Sequence, residues 1–113
     1  MLFRSGSEIL NAGRAAGLRV AAEVFADRAY EPDGSLASRR TPGSVIHDAA
    51  AVVARAVRMV KERTVVAVDG SVVALDADTI CVHGDTPGSD DLAAKIRAGL
   101  EAAGVIVRAI GAQ

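Results

Sequence analysis

Two short segments of the chain contain residues whose types and spacing could support chemistry. The first, "ICVHGDTPG", occupies residues 80–88 and places His83 and Asp85 two positions apart at the end of an apolar run. An imidazole and a carboxylate in this arrangement could transfer protons or could ligate a metal ion. Zinc sites use at least three protein ligands, and this pair supplies only two. The segment therefore predicts a reactive pair, and a purely structural role for Asp85 in the turn stays open.

The second segment, "EVFADRAY", occupies residues 23–30 and combines Glu23, Asp27, Arg28 and Tyr30. An ionised carboxylate such as Glu23 is costly to bury in an apolar strand without a partner. Arg28 is an obvious partner, and Arg39 or Arg40 could be others. The Asp27–Arg28 pair could bind a carboxylate, an amide or a phosphate of a ligand. The alternative is that these charges only hold the following loop in place, and the residues alone leave both interpretations open.

Two other reactive residue types have plainer interpretations. Cys81 lies within a strand and is interpreted as a small apolar side chain. A single cysteine cannot form a disulfide within the chain, which fits a reducing cytosol. His47 stands at the start of an amphipathic helix, where we expect it to face solvent.

The elements that must position these residues alternate between helices and strands. A helix is predicted over residues 5–16, with Ser5 or Ser7 as its cap and Gly17 as its end. The apolar run over residues 18–25 predicts a strand.

A long connection follows that strand over residues 26–43, and long ordered loops are often functional. From Ser44 to about Arg63 the apolar residues recur at three and four, which predicts an amphipathic helix. Its predicted buried stripe consists of Val45, Ile46, Ala49, Val52, Val53, Ala56, Val57 and Val60.

The rest of the chain repeats the alternation of strands and helices. A hairpin is predicted over residues 64–68 and 72–75, turning at Asp69-Gly70, and a strand over residues 79–82 follows it. The next helix is capped by Thr86 or Ser89 and ends at Gly104, and its predicted buried residues are Leu92, Ile96, Leu100 and Ala103. The last predicted strand occupies residues 105–110. Such alternation favours parallel pairing, and chemistry in these folds gathers at the carboxyl ends of strands. Both polar segments lie at such ends.

Length and composition narrow the class of protein. The chain has 113 residues, half of them apolar and only 3% aromatic, which predicts one domain with a core of small and β-branched side chains. The net charge of −1 and the interspersed charges give no surface for nucleic acid. The segment "MLFRSGSEIL" is too short and polar for a signal peptide or a membrane span. We therefore expect a soluble cytoplasmic protein.

Three longer stretches resemble a known family. They are "GLRVAAEVFADRAYEPDGSLASRRTPGSVIHD", "VDGSVVALDADTICVHGDTPG" and "IRAGLEAAGV". Together they resemble the LamB/YcsF family over about residues 12–107, and the combination of "EVFADRAY" with "CVHGDTP" is specific to it.

The resemblance implies a fold as well as a family. Members are similar to a seven-stranded β/α barrel related to glycoside hydrolases and deacetylases. This chain resembles only the C-terminal half of that barrel, with mainly parallel strands and a β-hairpin insertion, as one partial domain over residues 1–113. An open half-barrel leaves strand edges unpaired, so we expect a homodimer or a partner that supplies the N-terminal half.

The resemblance also implies an activity, the ATP-coupled hydrolysis of 5-oxoproline to glutamate by the A subunit of 5-oxoprolinase together with 5-oxoprolinase subunits B and C. In that reaction His83, Asp85 and Asp27 would be catalytic. Glu23, Arg28 and Tyr30 would bind substrate, with Glu23 also holding Arg28. The residues that contact ATP are not identified, because the chain contains no G-x-x-x-x-G-K-[ST] loop.

Two alternatives belong to other classes of protein. The chain could be a non-catalytic assembly module that keeps only a surface for binding its partners. It could instead be a metal-dependent amide hydrolase of the deacetylase type, with His83 and Asp85 as ligands.

Overall fold

Helices and strands alternate along the chain in the computed structural model, which describes residues 2–4, 8–18, 20–82 and 89–108. The elements are β1 (Leu2–Arg4), α1 (Glu8–Ala15), β2 (Ala21–Phe25), α2 (Ala49–Lys61), β3 (Thr64–Val66), β4 (Val72–Ala74), β5 (Thr79–Cys81) and α3 (Ser89–Ala102). This order belongs to the α/β class, as the sequence predicts.

Three of the strands form a parallel sheet in the order β1-β2-β5. Glu23 of β2 pairs with Arg4 of β1 on one side and with Thr79 of β5 on the other. The carboxyl ends of the three strands therefore meet at one edge of the sheet. Strand β1 was not predicted from the sequence, because three residues are too few to show a periodic pattern.

The strands β3 and β4 pair antiparallel as a separate two-stranded sheet, with Val65 opposite Val73. Gly70 adopts the left-handed conformation, with φ at 88°, and the N–H of Ala67 donates to the carbonyl of Ser71 at 2.8 Å. The chain therefore turns at Asp69-Gly70, where the sequence predicts a turn.

Helix α2 begins at Ala49 rather than at Ser44, so its predicted start is wrong. Asp48 is the N-cap, and its Oδ1 accepts the N–H of Ala50 at 3.1 Å. The N–H of Ile46 is already bound to the carbonyl of Asp27 at 2.8 Å, which keeps this stretch in the loop. The apolar spacing extends to Ile46 on the N-terminal side of the cap, where Ile46 packs against the core from the loop, and the cap decides where the helix starts.

The core lies where α2 covers the sheet. Val52, Ala56 and Met59 of α2 are fully buried. One cluster joins α2 to Ile96 and Leu100 of α3, and a second joins Met59 to Val24, Tyr30 and Val65. The predicted stripe is right for Val52 and Ala56, but it omits Met59.

Glycines end two of the helices, as predicted. Gly17 after α1 and Gly104 after α3 have φ of 81° and 89°, which glycine adopts without strain. The predicted caps Ser5, Ser7 and Thr86 lie outside the described residues. No helix in the described ranges is long and apolar enough to cross a membrane.

The segment after α3 differs from its prediction. Residues 105–108 are not in a strand, and Ile106 is 81% exposed. The rest of the predicted strand, residues 109–110, lies outside the described residues. A strand requires a neighbour for its backbone groups, and within the described ranges no strand pairs with this segment.

Candidate functional site

The candidate site is built at the carboxyl ends of β2 and β5. These strands are parallel neighbours, and their last residues, Phe25 and Cys81, pair in register. Asp27 and Arg28 follow β2 directly, so the structure places them at the edge where parallel α/β sheets carry their chemistry. His83 and Asp85, which the sequence predicts as catalytic, lie outside the described residues.

The long loop after β2 is held by backbone hydrogen bonds. Its strand-like bridges join Arg28 to Val45 and Tyr30 to Leu36. The N–H of Ala29 donates to the carbonyl of Ser44 at 2.8 Å, and its carbonyl accepts the N–H of Ala37 at 2.9 Å. The loop is therefore an ordered platform beside the site, as its length suggests.

Arg28 and Asp27 are both buried, with 7% of each residue exposed. The Nη2 of Arg28 donates to the carbonyl of Ala37 at 2.9 Å, while its buried Nε has no hydrogen-bond partner among the described residues. The guanidinium thus holds the loop in place, which is the structural alternative that the sequence left open. Its Nε is not used by this bond, and binding of substrate by Arg28 stays a prediction.

The predicted pairing of Glu23 with Arg28 is wrong in the described part of the chain. Among those residues no ion pair joins the two side chains, because Arg28 donates to Ala37 instead. Glu23 is half-buried in β2, beside Thr79 of β5. A role for Glu23 in binding substrate stays a prediction, but it would act from the sheet face rather than through Arg28.

Glu23 and Cys81 lie on the same face of the sheet. Side chains alternate along strands, and Glu23 pairs with Thr79 while Phe25 pairs with Cys81, so these four residues share one face. Burial raises the pKa of the Cys81 thiol, and the nearby carboxylates of Glu23 and Asp27 raise it further. The thiol is therefore held in its neutral form, which agrees with its interpretation as an apolar side chain.

Tyr30 is buried beneath the candidate site and is not on its surface. Only 1% of the residue is exposed, and it packs in the cluster with Val24 and Met59. Its hydroxyl oxygen accepts the N–H of Phe25 at 3.0 Å. This bond ties the loop to the last residue of β2, and contact of Tyr30 with substrate stays a prediction.

Arg55 of α2 lies beside the candidate residues Asp27 and Arg28, although it was not predicted from the sequence. Its Nη1 donates to the carbonyl of Ala26, and its Nη2 donates to the carbonyl of Arg28 at 2.7 Å. Burial lowers the pKa of Arg55, and the nearby Tyr30 and Asp27 oppose that change. A signal existed in the sequence, since Arg55 lies three residues after Val52 and therefore beside the buried stripe of α2.

The remaining candidates add no metal centre to the described residues. Within the described ranges, no group of three or more His, Cys, Asp or Glu side chains is placed to hold a metal ion. His47 is exposed, as the sequence predicts.

Comparison with known proteins shows which family the chain resembles. The model of the LamB/YcsF family matches residues 1–113. Proteins named as the A subunit of 5-oxoprolinase are similar over almost the whole chain: that of Kocuria rhizophila is 54% identical over 96% of this chain, and one from Rhodopseudomonas palustris is 52% identical over 91%.

A solved structure is similar as well. The lactam utilization protein from Thermus thermophilus superposes with a TM-score of 0.88 and 45% identity over 96% of this chain. The chain spans 43% of that protein and 43% of the Kocuria relative, which is less than half of either length. The family model and the relatives agree, and the chain belongs to the LamB/YcsF family.

Proposed function

We propose that this chain forms the carboxy-terminal part of the A subunit of a 5-oxoprolinase, and that the complete enzyme hydrolyses 5-oxoproline to glutamate. The observation that carries the proposal is the 54% identity to a protein of that name across 96% of the chain. The parallel sheet β1-β2-β5 is consistent with one half of a seven-stranded β/α barrel, and β3 with β4 would be an inserted hairpin.

The chemistry of the reaction assigns work to the residues at the ends of β2 and β5. Water adds to the lactam carbonyl, the ring C–N bond breaks, and the nitrogen leaves as an amine after it gains a proton. In the proposal His83 takes the proton from water and returns it to the nitrogen, while Asp85 orients the imidazole. Asp27 stands at the neighbouring strand end, where its carboxylate directs the water or the ring N–H.

No contact with ATP is assigned to the described residues. The chain has no phosphate-binding G-x-x-x-x-G-K-[ST] loop. The guanidinium groups of Arg28 and Arg55, which lie next to the candidate site, donate to backbone carbonyls. No step assigned to this chain therefore passes through ATP, and we propose that the rest of the enzyme binds it.

The proposed enzyme needs partners. Among the described strands, β1 and β5 each have a neighbour on one side only, so both edges of the sheet offer free backbone groups. The N-terminal half of the barrel, from another chain or from a second copy, would cover them. Because the relatives are named as one subunit of several, we propose that subunits B and C complete the assembly.

The experiment reconstitutes the enzyme from its parts. This chain is co-expressed with the part of the Kocuria rhizophila relative that it does not match and with subunits B and C, and glutamate release from 5-oxoproline is measured with and without ATP. We expect ATP-dependent release that His83→Ala abolishes. His47→Ala is the matched control, because His47 is exposed and lies outside the site.

Three results would contradict or redirect the proposal. No glutamate from the assembled wild-type enzyme would contradict it, as would full activity of His83→Ala. Loss of activity on dialysis against a chelator, with recovery on adding zinc, would favour the metal-dependent amide hydrolase. If the parts assemble and the wild-type enzyme still releases no glutamate, the non-catalytic assembly module is the favoured alternative.

A further inference from the structure

The backbone on both sides of Asp27 is held by hydrogen bonds from Arg55 of α2 and from Ile46 at the far end of the loop. Arg55 donates to the carbonyl of Ala26 and to the carbonyl of Arg28. Between them, the carbonyl of Asp27 accepts the N–H of Ile46 at 2.8 Å. Three consecutive carbonyls are therefore held, and the two peptide groups that flank Asp27 cannot rotate freely.

We propose that Arg55 is a positioning residue, whose guanidinium holds the turn of residues 26–28 so that the Asp27 carboxylate meets the substrate at a fixed angle. This inference rests on the proposed function, because Asp27 is assigned there to the reacting water or the ring N–H. Arg55 itself does not touch the substrate in the proposal.

The chemistry of the guanidinium explains why arginine occupies this position. Burying a cation costs free energy unless its donors are bound, and a planar fork can satisfy two acceptors at once. The two carbonyls that flank Asp27 are such a pair of acceptors. Lysine would bring one point charge without the fork, and an apolar side chain would leave both carbonyls without this partner.

A second arginine on α2 shows what a purely structural arginine looks like. The Nε of Arg58 donates to the hydroxyl of Thr64 at 3.0 Å and lies 3.3 Å from a carboxylate oxygen of Glu62. Its side chain is 38% exposed, and its partners are at the end of α2 and the start of β3. Arg58 is therefore a matched control for Arg55.

The functional test uses the reconstituted enzyme with Arg55→Met, Arg55→Lys and Arg58→Met. We expect kcat to fall about 100-fold in Arg55→Met and about 10-fold in Arg55→Lys, since misplacing a reacting group by about 1 Å costs on that order. KM should change less than about three-fold, because the change affects orientation rather than binding. Arg58→Met should keep the wild-type kcat. A further variant, Arg55→Ala, removes the guanidinium and most of the side chain. Millimolar ethylguanidinium should restore part of its activity.

A second measurement reports the geometry in the chain alone. Tyr30 is the only tyrosine and the chain has no tryptophan, so tyrosine fluorescence reports on the site beside Arg55. The amide of Ile46 reports on the bond to Asp27. In Arg55→Met we expect altered Tyr30 emission and at least about ten-fold faster hydrogen exchange at Ile46. Neither should change in Arg58→Met.

The outcomes separate this inference from the proposed function. If the wild-type enzyme releases no glutamate, the proposed function fails, and unchanged Ile46 exchange in Arg55→Met would overturn the positioning role independently. If the wild type is active, a wild-type kcat in Arg55→Met overturns the inference while the function stands. A rise in KM alone, or equal loss of activity in Arg58→Met, would also overturn it.

Discussion

Residues 20–67, the β2–β3 region, differ sharply from residues 68–82 and 89–108, the β4–α3 region. Among the described side chains, all the buried polar ones and most of the buried apolar ones lie in the β2–β3 region. In the described β4–α3 region only Ile96 and Leu100 are buried, while Val72 and Ile106 are 61% and 81% exposed. Both regions are rich in β-branched residues, so composition does not explain the contrast.

The difference lies in where the backbone and side chains find partners. In the β2–β3 region the loop bonds to itself, α2 covers the sheet, and Tyr30 joins loop to strand. In the β4–α3 region α3 contacts α2 along one stripe, and the apolar segment 105–108 belongs to no strand. The β2–β3 region is therefore nearly complete by itself, and we expect the other to be completed by the rest of the proposed barrel.

The largest expected effect contrasts one apolar residue from each region. Met59→Ala should lower the free energy of unfolding of the chain by about 2–5 kcal/mol, because Met59 is fully buried and a cavity would remain. Ile106→Ala should change it by less than about 0.5 kcal/mol, because the side chain is already in solvent. Urea unfolding followed by circular dichroism measures both.

The same pair can break the comparison. A loss of more than about 1 kcal/mol in Ile106→Ala would mean that the segment after α3 is packed in the chain alone. In the reconstituted enzyme we expect Ile106→Ala to weaken the association of this chain with its partners more than Met59→Ala does. Met59→Ala should affect association only by destabilising the fold of the chain.

The two regions also meet where Gly99 of α3 approaches Val53 of α2. A Cβ at Gly99 would overlap the Val53 side chain. Overpacking costs about 1–3 kcal/mol, while alanine gains about 0.8–1 kcal/mol in helix propensity over glycine. Gly99→Ala should therefore destabilise the chain by roughly 1 kcal/mol, as measured by urea unfolding.

A double-mutant cycle tests the cause of that loss. In the Val53→Ala background the overlap is removed, so Gly99→Ala should become stabilising through propensity alone. If Gly99→Ala destabilises equally in both backgrounds, the close approach of α2 and α3 is not the reason.

The sequence predicted the elements of this fold better than their partners. The helices, the turn at Asp69-Gly70 and the glycine ends follow from local signals, and the structure has them. The strand predicted over residues 105–110 had the right local pattern, but pairing depends on a neighbour that a local pattern does not contain. The predicted start of α2 was wrong because the N–H of Ile46 donates to the carbonyl of Asp27 in the loop, although the apolar repeat indicates helix there.

The candidate site was predicted in the same partial way. Asp27 and Arg28 were selected as candidates because charged residues in an apolar context are conspicuous, and the structure places both just after β2, while their roles stay predictions. Arg55 was missed because its partners are carbonyls, which every residue has, so no sequence motif marks them. Arg28 likewise binds a carbonyl rather than the expected partner Glu23, and the sequence could not show that choice.

The smallest expected effect tests the sheet face that both regions share, where Glu23 of β2 lies near Cys81 of β5. Because the folded pKa of Cys81 is raised, the unfolded chain releases this proton first as pH increases. The stability from the neutral thiol is therefore present below the unfolded cysteine pKa, about 8.5, and is lost as pH rises toward the folded pKa. Cys81→Ala should remove this part of the alkaline decline in urea stability.

Removing the neighbouring carboxylate isolates its share of the effect. Glu23→Gln should lower the pKa of Cys81, because a negative charge that opposes the thiolate is gone. Alkylation of Cys81 by iodoacetamide near pH 8 should then be faster, because a larger fraction of the thiol is ionised. Glu62→Gln is the control, since Glu62 pairs with Arg58 at the end of α2 and does not act on the thiol. An unchanged rate in Glu23→Gln would mean that the Glu23 carboxylate does not oppose ionisation of the thiol, and that burial and Asp27 account for the raised pKa of Cys81.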